Sequence, residues 1–415
     1  QRIDDGGGGG SARDRRPSKH RIDERRGAQF GAVLSALPAI AFSEQSGLWA
    51  DAMLCDQTLV GCLHGLRGEE AWSFDVFGFD RLCKQKVGYH YEQHYPASLI
   101  AYYLLHSHQV FASYPHLDRG KLLRWLREVE AAYPSSNPYH TALHAADVTA
   151  SLHYFLSQPR LAALLTPLDW LAALCAAIAH DVGHPGVNNG FLEATRADLA
   201  VTYNDQAVLE NHHVALAFGL AAQEGCEWME ALSAEEKKEL RETMCHMVLG
   251  TEMRAHFELL ARFKSRVATE GFARGDEKLE RKDARLLLLI GLHAADMSNP
   301  TKPIALAIEW AARAMDEFFA QGDREAELGL PVSAFMDRKK EPLARQVLNS
   351  QIGLITVLTQ PFFHEWGAFL WGGATMPPLS CLHDNLLFWE TEGEEAIRTH
   401  PAFLARWNTK RKPLH

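Results

Sequence analysis

Cysteine is scarce and unpatterned: the 415 residues hold seven, at Cys55, Cys62, Cys83, Cys175, Cys226, Cys245 and Cys381, with no CxxC pair. That spacing excludes a disulfide-stapled scaffold and a cysteine-based zinc module, and it points to a reducing, cytoplasmic compartment. Long apolar runs are missing as well. Leu286–Ile290 falls far short of the ~20 residues that cross a bilayer, and nothing resembles a secretory signal. Positive charge is in deficit, with a formal net charge of -10. A nonspecific nucleic-acid binder needs the opposite balance. A small anionic substrate stays open, because a bound metal supplies positive charge locally.

Alternating strand patterns bounded by Asn-Gly or Asp-Gly are rare. From about Phe30 onward apolar residues instead recur at three- and four-residue spacings, which predicts a nearly all-helical protein. Residues 1–29 combine Gly6–Gly10 with a mixed charge run and read as a flexible linker; residues 30–415 read as the folded domain. The chain opens on Gln1 rather than Met, and is expected to be part of a longer protein whose regulatory domains lie elsewhere. A homodimer is compatible with the sequence but not legible in it.

Helix starts are predicted at Asn137-Pro138 and at Thr166-Pro167 with Asp169, and further N-caps at Asp205 and Asp283. The helix opened by Thr166 should stop near Gly183 and Pro185. Loops are expected within 250–282 and within 322–349.

Three stretches carry the chemistry: Tyr139-His140-Thr141-Ala142-Leu143-His144, Ala179-His180-Asp181-Val182-Gly183-His184-Pro185, and His293-Ala294-Ala295-Asp296-Met297-Ser298-Asn299-Pro300. On a helix begun at Asn137, His140 and His144 would share a face one turn apart. His180-Asp181 and Asp296 each close an apolar helix, where a buried carboxylate needs a compensating cation. Nitrogen and oxygen donors without cysteine suggest a hydrolytic metal site.

With Tyr203-Asn204-Asp205, Val208-Leu209-Glu210-Asn211-His212-His213 and Asn299-Pro300-Thr301-Lys302, these stretches resemble the class I cyclic-nucleotide phosphodiesterases of the HD metal-hydrolase superfamily, over a core of about 72–370. The resemblance implies a compact all-α catalytic domain of about sixteen helices. It implies hydrolysis of cAMP, and plausibly cGMP, to the 5′-monophosphate. His144, His180, Asp181 and Asp296 match the family's ligands for a tight Zn²⁺. Asp181 also matches the bridge to a second ion, Mg²⁺ or Mn²⁺, whose waters His184 and Glu210 would hold. His140 matches the general acid. His212, His213 and His293 are expected to pack and to support the ligands. Tyr139, Met253, Asn299, Gln351 and Leu354 match substrate-contacting positions.

Two departures from the family bear on the purine pocket. Ala307 stands where cAMP-selective members often have Tyr, and Leu354 where a stacking Phe is usual. Ala311 and Ala314 are also small, so a roomy pocket and weak affinity are expected. Phe335, Phe362 and Phe363 are the candidates to replace the missing aromatic. The alternatives to the phosphodiesterase are another HD-type nucleotide phosphohydrolase and a catalytically dead cyclic-nucleotide sensor.

Overall fold

The computed structural model describes residues 56–86, 94–269, 272, 279–340, 342–372 and 376–407. All belong to one compact unit, Ile40–His415. The linker expected at 1–29, and residues 270, 271 and 273–278 of the loop expected within 250–282, lie outside the described residues. Among those described there is no strand, as expected. The helices of ten residues or more are α1 (Val76–Lys86), α2 (Pro96–Ser107), α3 (Arg119–Ala131), α4 (Ala142–Leu156), α5 (Pro167–Ala179), α6 (Val208–Ala221), α7 (Ala234–Leu249), α8 (His256–Thr269), α9 (Arg281–Asp296), α10 (Ile304–Glu327), α11 (Leu343–Gly353), α12 (Gln360–Trp371) and α13 (Pro377–Thr391).

The centre is built from α4, α5 and α9, which pack on one another. α5 is buried at every position from Asp169 to Ala179, and α4 at every position from His144 to Leu156. A helix apolar on all sides must sit inside a protein. α5 starts as its sequence dictates: Thr166 and Asp169 form a reciprocal capping box, and Asp169 also pairs with Arg281 of α9 at 2.8 Å. It ends just before Gly183, whose φ of +74° and close approach to Leu216 leave no room for a Cβ. α2 begins differently. Glu130 of α3 reaches over and accepts from the N–H groups of Ala97 (3.1 Å) and Ser98 (2.7 Å) and from the Ser98 hydroxyl. Burial lifts this carboxyl to about 7, against those hydrogen bonds.

Several predicted boundaries move. α4 begins at Ala142 with Thr141 as N-cap, because the Asn137 amide is spent on the carbonyls of His140 and His184 (3.0 and 2.8 Å) instead of on a helix start. His140 therefore precedes α4 and does not share a helix face with His144. Asp205 caps nothing: it sits at φ +58°, in a turn that includes Asn204 and Ala207 at positive φ before α6 begins. Asp283 lies in the first turn of α9, where it holds Arg266 at 2.6 Å. Helix α8 occupies much of 250–282, and α10 runs through Glu327, which confines the second irregular stretch largely to 328–342.

Candidate metal centre

The three central helices end at one place. His144 lies in the first turn of α4, His180 is the C-cap of α5 with Asp181 next, and Asp296 is the last residue of α9. Their donor atoms converge. His144 Nε2 stands 3.5 Å from Asp181 Oδ2 and 3.1 Å from Asp296 Oδ1, and His180 Nε2 stands 3.2 and 3.4 Å from the same two oxygens.

His180 Nδ1 bonds to the Ala177 carbonyl at 2.8 Å, so the backbone fixes the tautomer and turns Nε2 toward the carboxylates. That buried nitrogen has no hydrogen-bond partner among the described residues. Burial lowers the His180 imidazole, but Asp181 and Asp296 lift it well above its ordinary value. Asp181 and Asp296 are themselves held below the carboxylate range, the facing imidazoles outweighing burial. Two imidazoles and two carboxylates aimed at one point could hold a cation, and the donor set fits a divalent metal.

His140 borders this cluster without joining it. Glu317 of α10 accepts from the backbone N–H groups of Tyr139 (3.0 Å) and His140 (3.1 Å), and its other oxygen contacts His140 Nδ1. His140 Nε2 is thereby left facing the cluster, 3.9 Å from Asp181. Burial would lower the His140 pKa, yet Glu317 and the aspartates raise it to about 9. His184 stacks on His140 with centroids 3.7 Å apart, and its Nδ1 accepts from Gly186 N–H. Burial and the His140 charge keep His184 neutral, well below its ordinary pKa. Of two stacked imidazoles, one is charged and the other neutral.

Sequence reading missed Glu317. It belongs to a buried polar stripe on α10 with Gln321 and Glu325, each 3% exposed. Gln321 accepts from Asn188 N–H at 2.9 Å, and Glu325 from Ser333 N–H at 2.6 Å.

Around the cluster, His213 donates to the Val182 carbonyl and places Nε2 3.6 Å from Asp181, while His293 bonds His256 at 2.9 Å. Glu210 is gripped through both oxygens by Asn189 (3.3 and 3.0 Å), and burial lifts it to about 7. The Tyr139 hydroxyl donates to Asn299 Oδ1 at 2.5 Å, and its ring lies 4.6 Å from that of His144. Burial raises the Tyr139 phenol well above 10, so it stays protonated.

The other candidates are not hydrogen-bonded to this group. Gln351 is buried near the end of α11, Leu354 opens a π-helical turn at Leu354–Thr359, and Met253 lies half-exposed in a 3₁₀ turn. Ala307 and Ala311 are buried on α10. Phe362 and Phe363 are both fully buried, packed against His256 and His293 and against Phe155 respectively. Phe335 is 49% exposed on the loop after α10.

Residues 139–379 match the family model of the 3′,5′-cyclic nucleotide phosphodiesterases. The chain belongs to that family. It is 37% identical over 322 residues to the 3′,5′-cyclic-AMP phosphodiesterase 4C of Rattus norvegicus, covering 77% of this chain and 57% of the relative. It is 36% identical over 304 residues to a 3′,5′-cyclic-AMP phosphodiesterase, isoform F, of Drosophila melanogaster, covering 72% and 44%. The chain thus spans about half the length of these curated relatives. Among solved structures, the phosphodiesterase domain of the RhoPDE fusion protein from the choanoflagellate Salpingoeca rosetta aligns with a TM-score of 0.68 and 27% identity, covering 84% of this chain and all of that one. Phosphodiesterase membership agrees with an all-helical domain whose metal-competent residues gather where central helices end. No described helix is long and apolar enough to cross a membrane.

Proposed function

We propose that this chain hydrolyses 3′,5′-cyclic nucleotides, cAMP foremost and cGMP as a second substrate, to the 5′-monophosphates. The observation that carries the reading is His140 Nε2, facing the ligand cluster from 3.9 Å with its other nitrogen taken by Glu317. His144, His180, Asp181 and Asp296 would hold a Zn²⁺, and Asp181 would share a Mg²⁺ or Mn²⁺ whose waters are supported from His184 and Glu210. Bound there, such ions lower the pKa of water and offset phosphoryl charge.

The protein side of the chemistry is proton handling. Glu317 fixes the His140 ring and keeps it charged, so that Nε2–H can be given to the departing 3′-oxygen. His184, stacked and neutral, adds no competing positive charge. Gln351 offers an amide that reads either purine edge by rotation, and without a tyrosine at position 307 that rotation is less restrained. This supports use of both nucleotides, with weak affinity because Leu354 supplies no aromatic face. The unpaired described cysteines suit a cytoplasmic location.

The test is side-by-side kinetics on cAMP and cGMP with Mg²⁺, following 5′-AMP and 5′-GMP by chromatography. Release of both supports the proposal; binding without turnover would make the chain a sensor.

A further inference from the structure

Behind Tyr139 and Asn299 lies a buried ion pair that the reaction does not use. Lys302 and Asp147 are each 1% exposed and stand 3.1 Å apart. Asp147 projects from α4 and Lys302 follows the Asn299–Thr301 turn. Lys302 Nζ also donates to Ser151 Oγ at 2.7 Å and lies 4.3 Å from the centre of the Trp72 ring. The turn is pinned from outside, with Trp72 donating to the Thr301 carbonyl and Asn385 to those of Pro300 and Lys302. A buried pair of this kind seldom adds stability over apolar residues of similar size. Its geometry does something else.

Asp147 Oδ2 accepts from Asn299 Nδ2 at 3.2 Å. A carboxylate beside a lysine can only accept, so the Asn299 amide nitrogen must face Asp147 and its oxygen must face Tyr139. The Tyr139 hydroxyl then has to donate to that oxygen, which it does. One direction runs through the whole chain, from Tyr139 to Asn299 to Asp147, with Lys302 closing it.

We propose that Asp147 and Lys302 are positioning residues for nucleotide specificity: by fixing the Asn299 amide they spend the Tyr139 proton and leave its oxygen purely an acceptor, selecting a nucleotide N–H or O–H donor. The inference rests on the cyclic-nucleotide reading above. Two donors share this chemistry, the purine 6-amino group and the ribose 2′-hydroxyl, and analogues separate them.

The experiment compares wild type with the near-isosteric Asp147→Asn/Lys302→Met double variant, which removes both charges together and frees the amides to rotate. Substrates are cAMP, 2′-deoxy-cAMP and cyclic inosine monophosphate, which lacks the amino group. Melting temperature and metal content verify that the variant is folded and loaded. The expected wild type disfavours one analogue; in the variant KM for cAMP rises about tenfold, the scale of one lost hydrogen bond, kcat changes little, and the preference over that analogue collapses. A folded, loaded variant with wild-type KM and undiminished preference overturns the proposal, as does a wild type indifferent to both analogues. An unfolded or metal-depleted variant would assign the pair a structural role, and overturn it too. A wild type that hydrolyses no cyclic nucleotide refutes the broader reading instead, a result visible before any variant is made.

Discussion

Glu317 holds His140 at three points, two through the backbone N–H groups of residues 139 and 140 and one through the imidazole Nδ1. The carboxylate thus sets where the ring stands and which nitrogen is open, and it supplies the charge that raises the His140 pKa to about 9 against burial.

Removing that charge should move the pH profile. A group with a raised pKa is protonated below it, so the acid form is lost as pH rises through that value. Glu317→Gln keeps an acceptor but lowers the His140 pKa, and the alkaline limb of kcat should shift to lower pH while KM stays within about twofold. A kcat–pH series on wild type and variant checks this; coincident alkaline limbs would reject the role.

His140→Ala should keep metal content and melting temperature while lowering kcat by about 10²–10⁴-fold, the usual contribution of a positioned acid. Elemental analysis alongside steady-state rates separates loss of the acid from loss of the site.

Metal and proton compete for His180, whose imidazole the two aspartates hold protonated when no other cation is present. Zinc binding should therefore release protons, and its affinity should rise with pH. Calorimetric titration in two buffers of different ionisation enthalpy measures the release. Asp181→Ala should abolish tight binding, and chelation of the wild type should lower its melting temperature.

Leu354→Phe should lower KM for cAMP about two- to tenfold, from ~0.5–1.5 kcal/mol of ring stacking. An unchanged KM would place the purine elsewhere.

Glu130 gives a stability signature independent of catalysis. Its folded pKa of about 7 lies above the unfolded value near 4.5, so the folded state binds the extra proton. Its contribution is fully present below pH ~4.5 and is lost as pH rises through ~7. Glu130→Gln should remove that dependence, shrinking the wild-type loss between pH 5 and 7.5 by up to ~3 kcal/mol. Urea midpoints at both pH values report it.

The clustering of His144, His180, Asp181 and Asp296 was legible because each sits at one end of an apolar central helix, His144 opening α4 and the others closing α5 and α9, where a buried carboxylate has no other reason to be. Thr166 was legible for a similar reason, its cap partner lying three residues away. Asn137 misled because Asn-Pro resembles a helix start, while its amide bridges two carbonyls 44 residues apart in sequence, those of His140 and His184. Glu317 was invisible because its partner lies 177 residues upstream. Its one local signal is position: it falls two turns after buried Trp310 on the inward stripe of α10, where a carboxylate is out of place. The Asp147–Lys302 pair was hidden likewise, since only folding brings α4 against the turn that follows α9.

The stripe on α10 has a wider consequence. Glu317, Gln321 and Glu325 each grasp main-chain N–H groups, in the segments at 139–140, 188 and 333. The two carboxylates also take a side chain of the segment they fix, the His140 imidazole and the Ser333 hydroxyl. One residue inserted into the helix ahead of Glu317 would turn the whole stripe by about 100° and release all three segments together.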